Sequence, residues 1–185
     1  MSDLFVQMSV SLDGFIEDRR GDIEWMTFDP AVDPLMTATL RSIDGMIFGR
    51  RAHELLAAFW PTAADMHDAT TDLIEQAKLM NTLPKYVLTH GAERTGWANS
   101  HAISLDDVPR LKAQARRPLA VYAGASAAQA VLDRGFVDEI RLFVYPVIIG
   151  GGTRLFAERD DRQQLELLGI QQFDSGTVVQ RYRVV

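Results

Sequence analysis

Apolar residues recur along this chain with two periods, and the change from one to the other divides it into elements. Residues 4–10 (LFVQMSV) are rich in apolar side chains in loose alternation, the pattern of a buried strand, and the turn-prone SLDG follows at 11–14. A polar stretch then reads as a long loop to about residue 32. In residues 34–43 (PLMTATLRSI), Leu35, Met36, Thr39, Leu40 and Ile43 fall on one helical face, with Asp33 placed as N-cap and Pro34 at the first helical position. Met46-Ile47-Phe48 is a short buried strand. The helical pattern of 51–80 breaks at Trp60-Pro61, because proline removes an amide donor and restrains the residue before it.

Further along, 85–89 (KYVLT) and 100–104 read as strands, and 106–116 as a helix capped by Asp106. Residues 119–123 (LAVYA) are a strand by composition, Gly124-Ala125-Ser126 a turn, and 126–134 an alanine-rich helix. The run 136–150 (FVDEIRLFVYPVIIG) is too β-branched for a helix and predicts one long strand with a kink at Pro146. Two last strands, 164–173 and 177–185, flank the hairpin-type turn Asp174-Ser175-Gly176. Strands alternate with helices through residue 135 and then stand alone. The fold class is therefore α/β: a mixed, mostly parallel sheet with helices on both faces and an antiparallel C-terminal hairpin at its edge. No repeat, linker or low-complexity tract divides the chain, and residues 1–185 read as a single domain.

Composition narrows the function classes. With 185 residues, 47% hydrophobic and 24% charged, the chain suits one core. A formal net charge of -6 opposes general binding to nucleic acid or to an anionic membrane, so any cluster of arginines needs a local reason. The absence of cysteine excludes disulfides, thiolate metal sites and a cysteine nucleophile, and no metal site is expected. Met1 leads into Asp3 and a strand without a basic then apolar leader, and the longest apolar stretch, around 142–149, is far short of the roughly 20 residues of a membrane span. A cytoplasmic location is the expectation.

In an open α/β sheet, ligands collect where strands end and helix N-termini point inward, because unpaired amides attract anions. Two strand-to-helix corners carry small residues. At Gly49-Arg50-Arg51, glycine admits a phosphate close to the backbone and two guanidinium groups can grip its oxygens; two surface arginines at a solvated helix start fit the same spacing. At Gly124-Ala125-Ser126, free amides and a hydroxyl suit a diphosphate, but a tight turn before a closely packed helix looks the same, and the full G-x-G-x-x-G spacing is missing. Thr89-His90 ends a strand on the same rim and either contacts a ribose phosphate or caps a loop. Gly150-Gly151-Gly152 suits a bulge or a close approach of backbone. Asp13 fits a turn-stabilising role or a catalytic one, and Trp25 a pocket wall or the core.

Taken in order, SLDGFI (11–16) followed by Trp25, LRSIDGMIFGRRAHE (40–54), KYVLT (85–89), VYAGASAAQAVL (121–132) and VDEIRLFVYPVIIGGGTRLF (137–156) resemble the dihydrofolate reductase-like superfamily, and more closely its branch containing the reductase domain of bacterial riboflavin biosynthesis. The resemblance implies a sheet of about eight strands with NADPH lying across the strand ends. Gly49, Arg50 and Arg51 would then hold cofactor phosphates, Thr89 and His90 would lie near the adenosine ribose, and Gly124, Ala125 and Ser126 would cradle the diphosphate. Ala52 stands where the family pattern usually has Thr. Leu12, Asp13 and Gly14 would border the place where nicotinamide meets substrate, with Trp25 as a wall and Arg154 as a holder of substrate phosphate. Asp33 lies where dihydrofolate reductases place the acid that binds the pteridine, although riboflavin-type relatives do not depend on one.

The activity so implied is hydride transfer from NADPH to a C=N or C=O carbon of a nitrogen heterocycle, such as a riboflavin-pathway aminopyrimidine or a pteridine, with Asp33 and Asp13 as candidate catalytic carboxylates. The chain has no zinc-type deaminase signature fused to it. The competing expectation is a nucleotide-binding or regulatory protein that keeps the fold without turnover. A homodimer through the edge or face of strand 137–149 is also expected.

Overall fold

The computed structural model describes residues 1–27, 29–89, 96–160 and 162–185. Its first strand, β1 (Leu4–Ser11), has only Ser9 outside the buried class, because parallel neighbours flank it and helices cover both of its faces. The remaining strands are β2 (Phe15–Glu17), β3 (Gly45–Gly49), β4 (Lys85–Leu88), β5 (Ser100–Ile103), β6 (Leu119–Ala123), β7 (Glu139–Tyr145), β8 (Thr153–Arg154), β9 (Leu165–Gln172) and β10 (Val178–Val184). The helices are α1 (Asp33–Ser42), α2 (Arg50–Ala57), α3 (Thr71–Thr82), α4 (Val108–Gln114) and α5 (Ala125–Asp133). Eight strands form one sheet in the order β5-β4-β3-β6-β1-β7-β10-β9, in which β10 alone runs antiparallel to both of its neighbours, β7 and β9.

The period-two alternation sorts side chains into two cores. Leu4, Val6 and Met8 join Val121, Val131 and Ile140 on one face, whereas Phe5 joins Leu40, Met46, Phe48, Met80 and Trp97 on the other. The second core contains a charged group. Lys85 is fully buried, and its ammonium donates to the carbonyls of Met80 (2.7 Å) and Leu83 (2.8 Å) at the C-terminus of α3 and lies 4.6 Å from the Trp97 ring centroid. The helix end supplies the negative partial charge that makes this burial tolerable.

Four expectations need correction. Asp33 does not cap α1: a 3-10 turn at Pro30–Val32 precedes the helix, Asp29 caps that turn by accepting from the Ala31 amide (2.9 Å), and Asp33 is itself the first helical residue. Asp106 caps nothing either; Ser104 and Asp107 form a reciprocal capping box, and Asp106 pairs with Arg134 at 2.7 Å. The run 136–150 is not one kinked strand. Strand β7 stops at Tyr145, where Pro146 can supply no amide to continue the ladder. Finally, the polar loop after residue 14 contains β2, which pairs with β8.

That last pairing was invisible locally because its partner lies more than 130 residues away. It depends on Gly152, whose φ is 142° and where a Cβ would run into the Glu17 carbonyl, so the triple glycine serves a close backbone approach. The topology also removes part of the dimer expectation: β7 sits between β1 and β10 and offers no edge.

Candidate active site

Parallel pairing of β3 and β6 brings their C-terminal ends side by side, and with them the two glycine-bearing corners. A Cβ built at Gly49 would lie 3.3 Å from Ser126 Oγ and 3.7 Å from the Ala127 Cβ. From the other side, a Cβ at Gly124, which has φ 91°, would lie 3.1 Å from the Ala52 Cβ. The N-termini of α2 and α5 thus meet over the ends of adjacent strands. Neither helix has a side-chain N-cap, so the first-turn amides of α5 are left for something other than the helix itself.

Arg51 leaves this corner toward β2. Its guanidinium lies 3.6 Å from Glu17 Oε1 and packs against Gly21, while Glu17 Oε1 also accepts from Thr153 Oγ1 at 2.6 Å. Glu17, Asp18, Arg19, Arg20, Arg51 and Thr153 line an open polar cleft of about 490 Å³. Arg50 is exposed at the helix start, and Thr89 follows β4 with its amide bonded to the Ile103 carbonyl (3.2 Å). His90 lies outside the described residues.

Along the chain from β1, Asp13 acts as a clamp. Its Oδ1 accepts from Ser11 Oγ (2.7 Å) and the Ile149 amide (3.2 Å), and its Oδ2 from the Gly150 amide (2.8 Å). These bonds, the one from Ser11 foremost, hold the carboxyl below the usual aspartate range. Gly14, with φ 86°, turns the chain, and its carbonyl accepts from the Leu155 amide at 3.1 Å. Arg154 lies over the Phe15 ring at 4.6 Å, with Nη1 3.5 Å from the Asp13 carbonyl. Leu12 is 64% exposed, so it stands on the surface instead of walling a cavity in this conformation.

Tyr145, in register with Ser11, meets Trp25 edge-on, with ring centroids 5.8 Å apart. The Trp25 Nε1 is buried without a hydrogen-bond partner, and so is Asp29 Oδ2. Burial and the nearby charge of Asp29 push the Tyr145 hydroxyl upward against a hydrogen bond involving Ser9. Asp33 is raised above the usual aspartate value, first by burial and further by the charges of Asp72 and Asp29, against a hydrogen bond from Gln76. Burial and the Asp33 charge together push Tyr122 well above the ordinary tyrosine value. The two candidate carboxylates therefore part ways: three donors shift Asp13 down, and burial shifts Asp33 up.

Tyr145, Asp29 and Glu17 were not singled out in the sequence. Tyr145 ends a strand before a proline, but nothing local says that Trp25, 120 positions earlier, packs on it.

Comparison with known proteins agrees with the architecture. The chain is 31% identical over 180 residues to the uncharacterized protein YyaP of Bacillus subtilis (strain 168), covering 95% of this chain and 91% of that one. Its structure superposes on a crystal structure of a riboflavin biosynthesis protein from Shewanella sp. PV-4 with a TM-score of 0.77, 20% identity and 99% coverage of both chains. It also superposes on dihydrofolate reductase from Enterococcus faecalis complexed with NADP(H), with a TM-score of 0.65 and 13% identity, covering 98% of this chain and 96% of that one. The fold is thus dihydrofolate reductase-like. A family model for the RibD C-terminal domain matches residues 3–179, and the chain belongs to that family.

Proposed function

We propose that this protein is an NADPH-dependent reductase acting on a nitrogen heterocycle of the aminopyrimidine or pteridine kind. The observation that carries the reading is the contact of the two corners: at Gly49 a side chain would crowd Ser126, so the backbone is kept bare where an anion would pass between two helix N-termini. The structural neighbours, a riboflavin biosynthesis protein and an NADP(H)-bound dihydrofolate reductase, support the cofactor class.

NADPH fits the residues present. The amides of Gly124, Ala125 and Ser126, with the Ser126 hydroxyl, would cradle a diphosphate; Arg50 would supply planar donors, Arg51 would add its own on releasing Glu17, and Thr89 would flank the ribose. The cofactor would supply a hydride. In this reading Asp33, raised above the usual aspartate value first by burial, is the group that would pass a proton to the heterocycle. Trp25 and Tyr145 wall the ring and exclude water, and the unfilled Trp25 Nε1 and Asp29 Oδ2 offer one donor and one acceptor to it. Asp13 and Gly14 position the rim by fixing residues 149–155, and Arg154 holds any substrate phosphate.

Titration of NADPH fluorescence, followed by loss of NADPH absorbance with a panel of aminopyrimidines, pteridines and flavin precursors, tests the reading. Saturable binding with turnover of one class is expected, and no NADPH binding would overturn it. Ala52 favours the second reading, a non-catalytic nucleotide-binding protein, since it brings no hydroxyl to the corner; binding without turnover across the panel would support that alternative.

The same protein is proposed to be a homodimer. Strand β9 is one of the two edges of the sheet, and Leu165, Leu167, Leu168 and Ile170 along it are all exposed, a row that a second copy would cover. None of the helices among the described residues is long and apolar enough to cross a membrane.

A further inference from the structure

Across β1, β7, β10 and β9, the residues Gln7, Arg141, Arg181 and Gly169 stand in direct register, a polar row in the middle of the sheet. The next row toward the candidate active site includes Phe143 and Val179, also in register. Leu35 and Thr39 of α1 close the space above, leaving a cavity of about 290 Å³. We propose that this cavity is a binding site for a small carboxylic acid with an apolar body, an aryl or branched-alkyl monocarboxylate.

Gln7 makes the case. It is 3% exposed, in a strand whose other inward positions are mainly apolar, and the one hydrogen bond of its side chain is from Nε2 to Met36 Sδ at 3.4 Å. A buried amide costs stability unless its polar atoms are satisfied, and a thioether is a weak acceptor. Among the described residues, no other hydrogen bond holds the Gln7 amide. A leucine at this position would suit the packing better, so the amide, whose Nε2 has one N–H on a weak thioether and a second to give, points to a ligand that accepts from it.

The charge at the same end is unbalanced in favour of an anion. Glu139 is shared by two guanidinium groups, accepting from Arg141 Nε (2.8 Å) and Nη2 (3.2 Å) and from Arg181 Nε (2.6 Å). Among the described residues, Arg141 Nη1 and both terminal nitrogens of Arg181 take no protein acceptor. Arg141 is held by stacking on Phe5, its Cζ 3.6 Å from the ring centroid, which fixes the direction of its free donors. A carboxylate would lie along this row, its apolar body against Phe143, Val179 and Leu35. The missing side chain at Gly169 leaves the room: a Cβ there would meet nothing within 4 Å and no positive φ demands glycine.

This site does not depend on the reductase reading and shares no residue with the glycine corners. The test uses the full chain with benzoate as probe and benzyl alcohol as its uncharged counterpart, read by saturation-transfer NMR and calorimetry. Benzoate should bind saturably and at least about tenfold more tightly than benzyl alcohol, the equivalent of one hydrogen bond to a charged group. Gly169→Leu, which fills the cavity from an open position, and Gln7→Leu should each weaken benzoate at least about tenfold while NADPH binding stays unchanged. Gln7→Leu should also raise the melting temperature, which a structural role for the amide would not allow. Absence of saturable benzoate binding, equal binding of the alcohol, or unchanged affinity in both variants would overturn the proposal.

Discussion

Gly49 and Ser126, 77 positions apart in the chain, lie so close that a methyl group at 49 would sit 3.3 Å from the Ser126 hydroxyl. If a cofactor diphosphate passes through that contact, Gly49→Val should weaken NADPH binding by at least about tenfold, a loss of roughly 1.4 kcal/mol, with a smaller effect from Gly49→Ala. Fluorescence titration measures it, with circular dichroism to confirm folding. Unchanged affinity in the valine variant would remove the corner from the site.

Asp33→Asn separates a proton donor from a helix-start residue. As a donor, Asp33 works protonated, so the wild-type rate should fall as pH rises through its raised pKa, and the asparagine variant should lose about 100-fold in kcat together with that limb of the profile. The variant's stability should not fall with its rate. Because folding raises this pKa, the folded chain keeps a proton that the unfolded chain has released just above pH 3.8, and stability falls as pH rises through that interval. The neutral asparagine escapes this effect, and its melting temperature at neutral pH should equal or exceed that of the wild type.

Lys85 opens β4, at the opposite end of the parallel strands from Gly49, and should matter for stability alone. Lys85→Met strands the Met80 and Leu83 carbonyls at the end of α3 and should destabilise by about 2 kcal/mol at neutral pH. Burial lowers the lysine from 10.5 to about 8, so between these values the unfolded chain binds more protons and wild-type stability rises with pH. Urea unfolding at pH 7.5 and 9.5 should therefore show the gap between wild type and variant widening at the higher pH.

Ile170 tests the dimer. It is 62% exposed on the edge strand, and Ile170→Lys places a charge where the second copy would pack. Light scattering on a sizing column should read twice the single-chain mass of 20.7 kDa for the wild type and the single-chain mass for the variant. A wild-type monomer would refute the interface.

Much of the fold was legible because its elements advertise themselves locally. The buried run at β1, the Trp60-Pro61 break and the Asp174-Ser175-Gly176 turn each depend on residues within one short window. The errors fall where a distant partner competes with local propensity. Asp33 has the chemistry of an N-cap, but Asp29 and Pro30 set an earlier turn and take that role. Strand β2 has too few residues to announce itself and exists because β8 returns to pair with it over Gly152.

The sequence by itself determined the order of the longer strands and helices, the two glycine corners, the lack of thiol chemistry and the family resemblance, since each is a property of composition or short-range spacing. Only the tertiary structure decided which residues meet. It made Asp13 a clamp for residues 149 and 150, turned Arg51 toward Glu17, set Trp25 on Tyr145, and aligned Gln7 with Arg141, Arg181 and Gly169. Those pairings follow from strand order and register in a sheet whose neighbours are remote in sequence, and no local period encodes them.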